Sequence, residues 1–204
     1  MVLISRSTKK LGKAEKIVRF ALKENPNHPF LSNSFGLILM DQRRFHEAVV
    51  AFNNALKTKK DRIEIICNLS FAYYEIGKMG EAEFFFKKAL SIDPHYPRAI
   101  CGYINLSISK FDFSTANKFI NLGNKLKLSD PEFITSKAIY FLCNGDLKSS
   151  YDLFNKVVDI SKEYADAVVN RGLVSLMQGN IDQGWEDYSL RRKKRWNRSV
   201  ERHH

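Results

Sequence analysis

The stretch AEFFFKKAL at residues 82–90 returns 34 positions earlier as AVVAFNNAL at 48–56. Ala82 falls on Ala48, Phe86 on Phe52, Ala89 on Ala55 and Leu90 on Leu56. The same step backward reaches Ala14, Val18, Ala21 and Leu22. Forward it reaches Ala116, Ile120 and Gly123, then Phe154 and Val157, then Gly184 and Tyr188. The column Val18, Phe52, Phe86, Ile120, Phe154, Tyr188 runs through the chain without a slip. A fixed period of this length marks a repeat architecture, in which each unit buries its apolar face only against its neighbours.

The punctuation keeps the same period. Pro26, Pro29, Pro94, Pro97 and Pro131 all fall in junctions between units. There proline can follow one helix and occupy the first turn of the next. Gly77, Gly145 and Gly179 share a phase midway through the unit, where a tight turn joins two helices. The pattern therefore predicts two helices per repeat. Three adjacent phenylalanines on such a helix point about 100° apart. Phe86 is expected against the first helices, Phe85 towards the neighbouring unit and Phe84 at an exposed edge. Ala82 and Ala89 are small enough for close backbone approach, and Lys87 and Lys88 fall on the wet face.

The spaced residues resemble those of the tetratricopeptide repeat family. In 63–96 they are Leu69, Tyr73, Gly77, Ala82, Phe85, Phe86, Ala89, Leu90, Ile92 and Pro94. The resemblance implies an all-α fold, a right-handed α-solenoid of antiparallel helix pairs. It divides 1–198 into a partial repeat 1–28 and repeats 29–62, 63–96, 97–130, 131–164 and 165–198, with a disordered basic tail at 199–204. Departures exist. Lys137 and Arg171 stand in a column that is usually apolar, where their stems are expected on apolar neighbours with the charges in water.

In this family the first helices line a concave groove that holds peptide or protein partners. By resemblance, the groove residues here are Asn33, Leu37 and Met40; Asn68, Phe71 and Tyr74; Arg98 and Asn105; and Asn170 and Leu173. Asn68 and Asn170 match a column in which nucleocytoplasmic glycosyltransferase relatives carry groove asparagines. The same columns also suit inter-repeat core, and both readings stay open at this point. Repeat domains that clamp an acidic carboxyl terminus place several cations in the groove. Arg98, with Arg6 in the partial unit, is a poor match to that subtype.

GNIDQGWEDYSLR at 179–191 resembles a terminal unit of bacterial tetratricopeptide proteins that precedes a glycosyltransferase domain, through Gly184, Trp185, Tyr188 and Arg191. That resemblance implies the repeat portion of such an enzyme, with a C-terminal or separate catalytic domain as partner. Trp185, Tyr188 and Trp196 are expected to share one face of the last helix, either tucked back on the array or covered by something else. The uncapped ends also allow self-association.

The chain has 204 residues and a formal net charge of +11, concentrated at its end: residues 191–204 carry seven Arg or Lys against one Glu. Such a tail can attract polyanions, but without a fold of its own it reads as a solvated terminus, and nucleic-acid binding is disfavoured. No apolar run reaches the ~18–20 residues of a membrane span, and the three-residue apolar patch at the start is expected to be too short for a signal peptide. A cytoplasmic protein is expected. Cys67, Cys101 and Cys143 carry no CxxC spacing and are expected as free thiols. His28, His46 and His95 read as loop residues. None of the common phosphate-binding, metalloprotease or nucleophile-elbow motifs is present. The expectation is a non-catalytic binding scaffold without cofactor or metal.

Overall fold

The computed structural model describes residues 8–58, 61–161 and 164–200, with the backbone course alone at 8–10, 165 and 191–200. These residues form eleven helices: α1 (Thr8–Glu24), α2 (Pro29–Asp41), α3 (Phe45–Thr58), α4 (Ile63–Glu75), α5 (Met79–Ile92), α6 (Pro97–Ser109), α7 (Phe113–Lys125), α8 (Pro131–Cys143), α9 (Leu147–Ile160), α10 (Ala165–Met177) and α11 (Ile181–Val200). The first helices of the pairs start at 29, 63, 97, 131 and 165, and the second helices at 45, 79, 113, 147 and 181. Every start recurs at an interval of 34. The fold is an all-α helical-repeat solenoid. The last helix continues through Ser199 and Val200, where the sequence places the start of a tail. His203 and His204 lie outside the described residues.

The chain divides into two compact units, Met1–Gly102 and Tyr103–His204. In the first, consecutive helices pack on one another from α1 to α5. Its core gathers Leu39, Ala48, Phe52, Ala55, Ile65, Leu69 and Ala72, beside a second cluster of Ile66, Cys67, Ala89 and Ala99. In the second unit, α7 to α11 pack in the same consecutive way, around Ile134, Ala138, Phe154, Val157, Ala167 and Val174. The large member of the repeating column is buried at Phe52, Phe86, Ile120 and Phe154. The three adjacent phenylalanines separate as their helical angles require. Phe86 is buried, Phe85 stacks on Tyr73 with centroids 5.5 Å apart, and Phe84 is 64% exposed.

Helix ends follow local chemistry. Asp112, Asp130 and Asp146 accept from the backbone N–H groups of Thr115, Phe133 and Ser149, which would otherwise be unpaired. His28, an exposed loop residue, caps α2 in the same manner by accepting from the Leu31 N–H at 3.4 Å. The turns within hairpins all place one residue in the left-handed region: Gly77, Gly145 and Gly179, but also Arg43 (φ 61°) and Phe111 (φ 59°). A Cβ is strained there by roughly 1–2 kcal/mol. Phe111 is 82% exposed, so little packing offsets the strain. Phe111→Gly is expected to stabilise the protein by about 0.5–1 kcal/mol, after the added freedom of the unfolded chain is subtracted. A rise in thermal midpoint measures this; a fall rejects it.

One polar network ties α1 to the next pair. Glu15 accepts from Arg19 Nε (2.8 Å), Arg44 Nη1 (2.8 Å) and Gln42 Nε2 (2.7 Å). Burial pushes this carboxyl up, but the bonds from Gln42, Arg19 and Arg44 outweigh it and lower the value from 4.5 to about 2. Because the folded value lies below the unfolded one, the network stabilises fully above about pH 4.5. Its contribution is lost as pH falls towards 2. Glu15→Gln is expected to cost about 1–2 kcal/mol at pH 7, since solvent reaches Arg19 and Arg44, and to flatten the acid limb of stability against pH. An unchanged acid limb would contradict this assignment.

Candidate functional site

The first helices of unit 1 carry a linked set of side chains. On α2, Phe30, Asn33 and Leu37 fall at spacings that share one helix face. Asn33 is half-buried, Leu37 and Phe30 are exposed, and Met40 packs against the core. On α4, Asn68 is only 4% exposed. Its Nδ2 donates to Asn33 Oδ1 at 2.9 Å, joining α4 to α2. Its own Oδ1 finds no partner among the described residues. Phe71 and Tyr74 are half-buried. Phe71 meets Phe86 edge-on below, and Arg98 of α6 lies over its ring at 5.2 Å. Thus Asn33–Asn68 and Phe71–Arg98 connect three successive first helices through polar and cation–π contacts.

The remaining expected site residues belong to unit 2. Asn105 is half-buried, and its Oδ1 is a buried acceptor without a partner among the described residues. Asn170 is half-buried and Leu173 is 38% exposed. Arg6 lies outside the described residues. In unit 1 the geometry brings together Asn33, Leu37, Asn68, Phe71 and Arg98, while Met40 serves chiefly as core.

One contributor has no signal in the repeat columns. Arg62 sits in the junction before α4 and lies over the Phe30 ring at 4.6 Å. The repeat pattern specifies no side chain at that junction, so only a cation near an exposed aromatic hints at it.

Elsewhere the structure corrects two expectations. His46 lies in the first turn of α3 rather than in a loop. The Arg171 charge does not reach into water. Its guanidinium donates to Asp187 through Nε (2.7 Å) and Nη2 (3.0 Å), and to Asn155 Oδ1 through Nη1 (2.8 Å). Asp187 is 5% exposed. The hydrogen bonds to Asp187 hold the guanidinium still more firmly protonated than usual. Lys137, in the same column, donates to Asn124 Oδ1 at 3.1 Å. Cys67 and Cys101 are buried and Cys143 is exposed, all three outside any disulfide among the described residues. Among the described residues no helix is long and apolar enough to cross a membrane. None of their His, Cys, Asp and Glu side chains gather into a group that could hold a metal ion.

Comparison with known proteins places these features in a family context. Residues 63–96 match the tetratricopeptide repeat family. Over 190 residues, 90% of this chain, the sequence is 20% identical to the RNA polymerase-associated protein CTR9 of Caenorhabditis elegans, of which it spans 16%. The fold is shared with TTC0263, a thermophilic tetratricopeptide repeat protein of Thermus thermophilus. That match has a TM-score of 0.72 and 18% identity, over 83% of this chain and 92% of the other. YrrB, a tetratricopeptide repeat protein with an unusual peptide-binding site, has a TM-score of 0.53 and 18% identity, over 85% of this chain and 90% of the other.

Proposed function

We propose that this array of tetratricopeptide-type helix pairs is a non-catalytic scaffold that binds a protein or peptide segment along its first helices. The observation that carries the reading is the unit 1 surface. Exposed Leu37 and Phe30 offer apolar contact. Asn33, held by Asn68, offers a fixed amide, and Arg98 offers a cation braced on Phe71. Apolar area with a few oriented polar groups is what a peptide site requires. The peptide-binding neighbour and the family match support the same reading. Within unit 2, taken by itself, Asn105, Asn170 and Leu173 are the first-helix residues that would serve in the same way.

The test is selection of peptides from a displayed random library on the full chain, followed by titration of the winners. Leu37→Glu and Arg98→Glu should each weaken the selected peptides by 10-fold or more while leaving the circular dichroism melt in place. Equal affinity for both variants would reject this surface.

A second reading keeps the chain as the partner-presenting portion of a glycosyltransferase. It rests on the Gly184–Arg191 phrase and on Trp185, which remains 56% exposed beside Tyr188. Gly184 has a local role as well, since a Cβ there would come within 2.7 Å of the Leu176 side chain. Sequencing the reading frame and its neighbour beyond residue 204 tests this. A frame without a transferase domain removes the support.

A further inference from the structure

Asn144 and Gly145 are the single Asn–Gly pair in the sequence. They form the turn between α8 and α9, and both are exposed. An asparagine before glycine can react with its own backbone, because no Cβ shields the next amide nitrogen. The Gly145 nitrogen attacks Asn144 Cγ. The new N–Cγ bond closes a five-membered succinimide, and ammonia leaves with the Gly145 proton. Water then opens the ring. Cleavage of the N–Cγ bond gives aspartate, and cleavage of the bond to the backbone carbonyl gives isoaspartate. No electrons are exchanged, and water is the only co-reactant. Gly77 and Gly179 hold the same column, but Ile76 and Gln178 before them cannot close a five-membered ring.

The fold keeps the reacting atoms apart. Asn144 sits at φ −91° and ψ 4°. At that ψ the Gly145 nitrogen lies about 120° from the Cβ branch around the Cα–C bond, as tetrahedral geometry at Cα requires. Ring closure needs the two side by side, so the peptide must rotate by that angle. The bonds of the turn oppose the rotation. Gly145 N–H donates to Leu142 O at 3.1 Å and Asp146 N–H to Phe141 O at 3.0 Å. These form a Schellman end around Gly145 at φ 80°. Asn144 Nδ2 itself donates to Tyr140 O at 2.8 Å. Attack therefore requires the end of α8 to open first.

We infer that Asn144 is a modification site, deamidated spontaneously when the α8–α9 turn opens, so that its conversion records the openings of unit 2. The product does not restore the turn. Aspartate loses the donor to Tyr140 O and places a carboxylate at the C-terminal end of α8, where the helix dipole disfavours it. Asp146 already stands two residues on, held ionised by the Ser149 N–H that it accepts from. Isoaspartate adds a backbone carbon to a turn whose hydrogen bonds fix its length. Conversion is one-way and leaves the hairpin weaker.

The experiment holds the reduced full chain at mildly alkaline pH, in native buffer and in denaturing guanidinium chloride. Mass spectrometry of digests follows the gain of one mass unit at Asn144, and chromatography separates aspartate from isoaspartate. In denaturant Asn144 should convert faster than every other asparagine. In native buffer it should convert at least about 10-fold more slowly than in denaturant, since the rate tracks the open population. Phe154→Leu, in the core of unit 2, should speed native conversion by about 5-fold or more. Phe52→Leu, its counterpart in unit 1, should change it by less than about 2-fold. Asn144→Asp should lower the thermal midpoint by about 2–5 °C. Earlier conversion at another asparagine in denaturant, similar native and denatured rates, or equal acceleration by the two leucine variants overturns the inference. Should Phe154→Leu not fold, guanidinium below the unfolding midpoint replaces it, and a native rate that stays flat as guanidinium rises is equally fatal. An unchanged midpoint for Asn144→Asp overturns the claim that the product weakens the hairpin.

Discussion

Phe86→Ala is expected to lower the free energy of unfolding by about 3–5 kcal/mol, the range for deleting a fully buried phenylalanine. The ring has no exposed surface. It meets Phe71 of α4 edge-on, at 5.1 Å and 85°, and it also fills the space left by Gly102 on α6. A Cβ on Gly102 would overlap the Phe86 ring. One side chain of α5 thus holds the first helix of its own pair and the first helix of the next. Stability in such arrays is close to a sum over units and neighbouring interfaces, so the loss should be local to unit 1. Denaturant unfolding followed by far-UV circular dichroism measures it. Gly102→Ala should also destabilise, and the two changes together should cost less than the sum of each alone, since the alanine methyl enters the vacated space. A Phe86→Ala midpoint within about 0.5 kcal/mol of the parent would reject the wedge, because core deletions of this size do not come that cheaply.

Asp187→Ala is expected to cost a similar ~3–5 kcal/mol, for a different reason: it leaves the Arg171 guanidinium buried without its counter-charge. Arg171 and Asp187 have side chains only 15% and 6% exposed. The pair stands in columns that elsewhere in unit 2 hold Tyr103 and Phe119, whose rings lie 4.7 Å apart. Replacing both together, Arg171→Tyr with Asp187→Phe, should fall within about 1 kcal/mol of the parent, since an apolar pair can replace a buried ion pair at little cost. Equilibrium unfolding of the two single variants and the double variant forms the cycle. Additive losses would mean that the two side chains do not depend on each other.

The sequence made Phe86 readable because its column repeats six times, and a period of 34 leaves few ways to place a large side chain between two small ones. The helix starts at Pro29, Pro97 and Pro131 were readable for the same reason, since proline fits the first turn. Arg171 was misread because its partner is 16 residues away on another helix. A column of Phe35, Leu69, Tyr103 and Lys137 says nothing about what faces it. Arg43 and Phe111 were hidden differently. They occupy the glycine column of Gly77, Gly145 and Gly179, and the strain shows only when the column is read through its exceptions. On the candidate surface, the family resemblance pointed to Asn68, but only coordinates reveal that its amide donor is already committed to Asn33.

The Arg171–Asp187 pair also gives the final hairpin an address. Apolar partners of similar bulk tolerate being exchanged between units, and tandem repeats are prone to mispair with a neighbour one step out of frame. If α11 were laid against α8 instead of α10, Asp187 would meet Lys137, and Arg171 would be left facing Leu153 of α9. Misassembly by one step therefore carries a stranded charge, and gain or loss of units during evolution is best tolerated upstream of this hairpin.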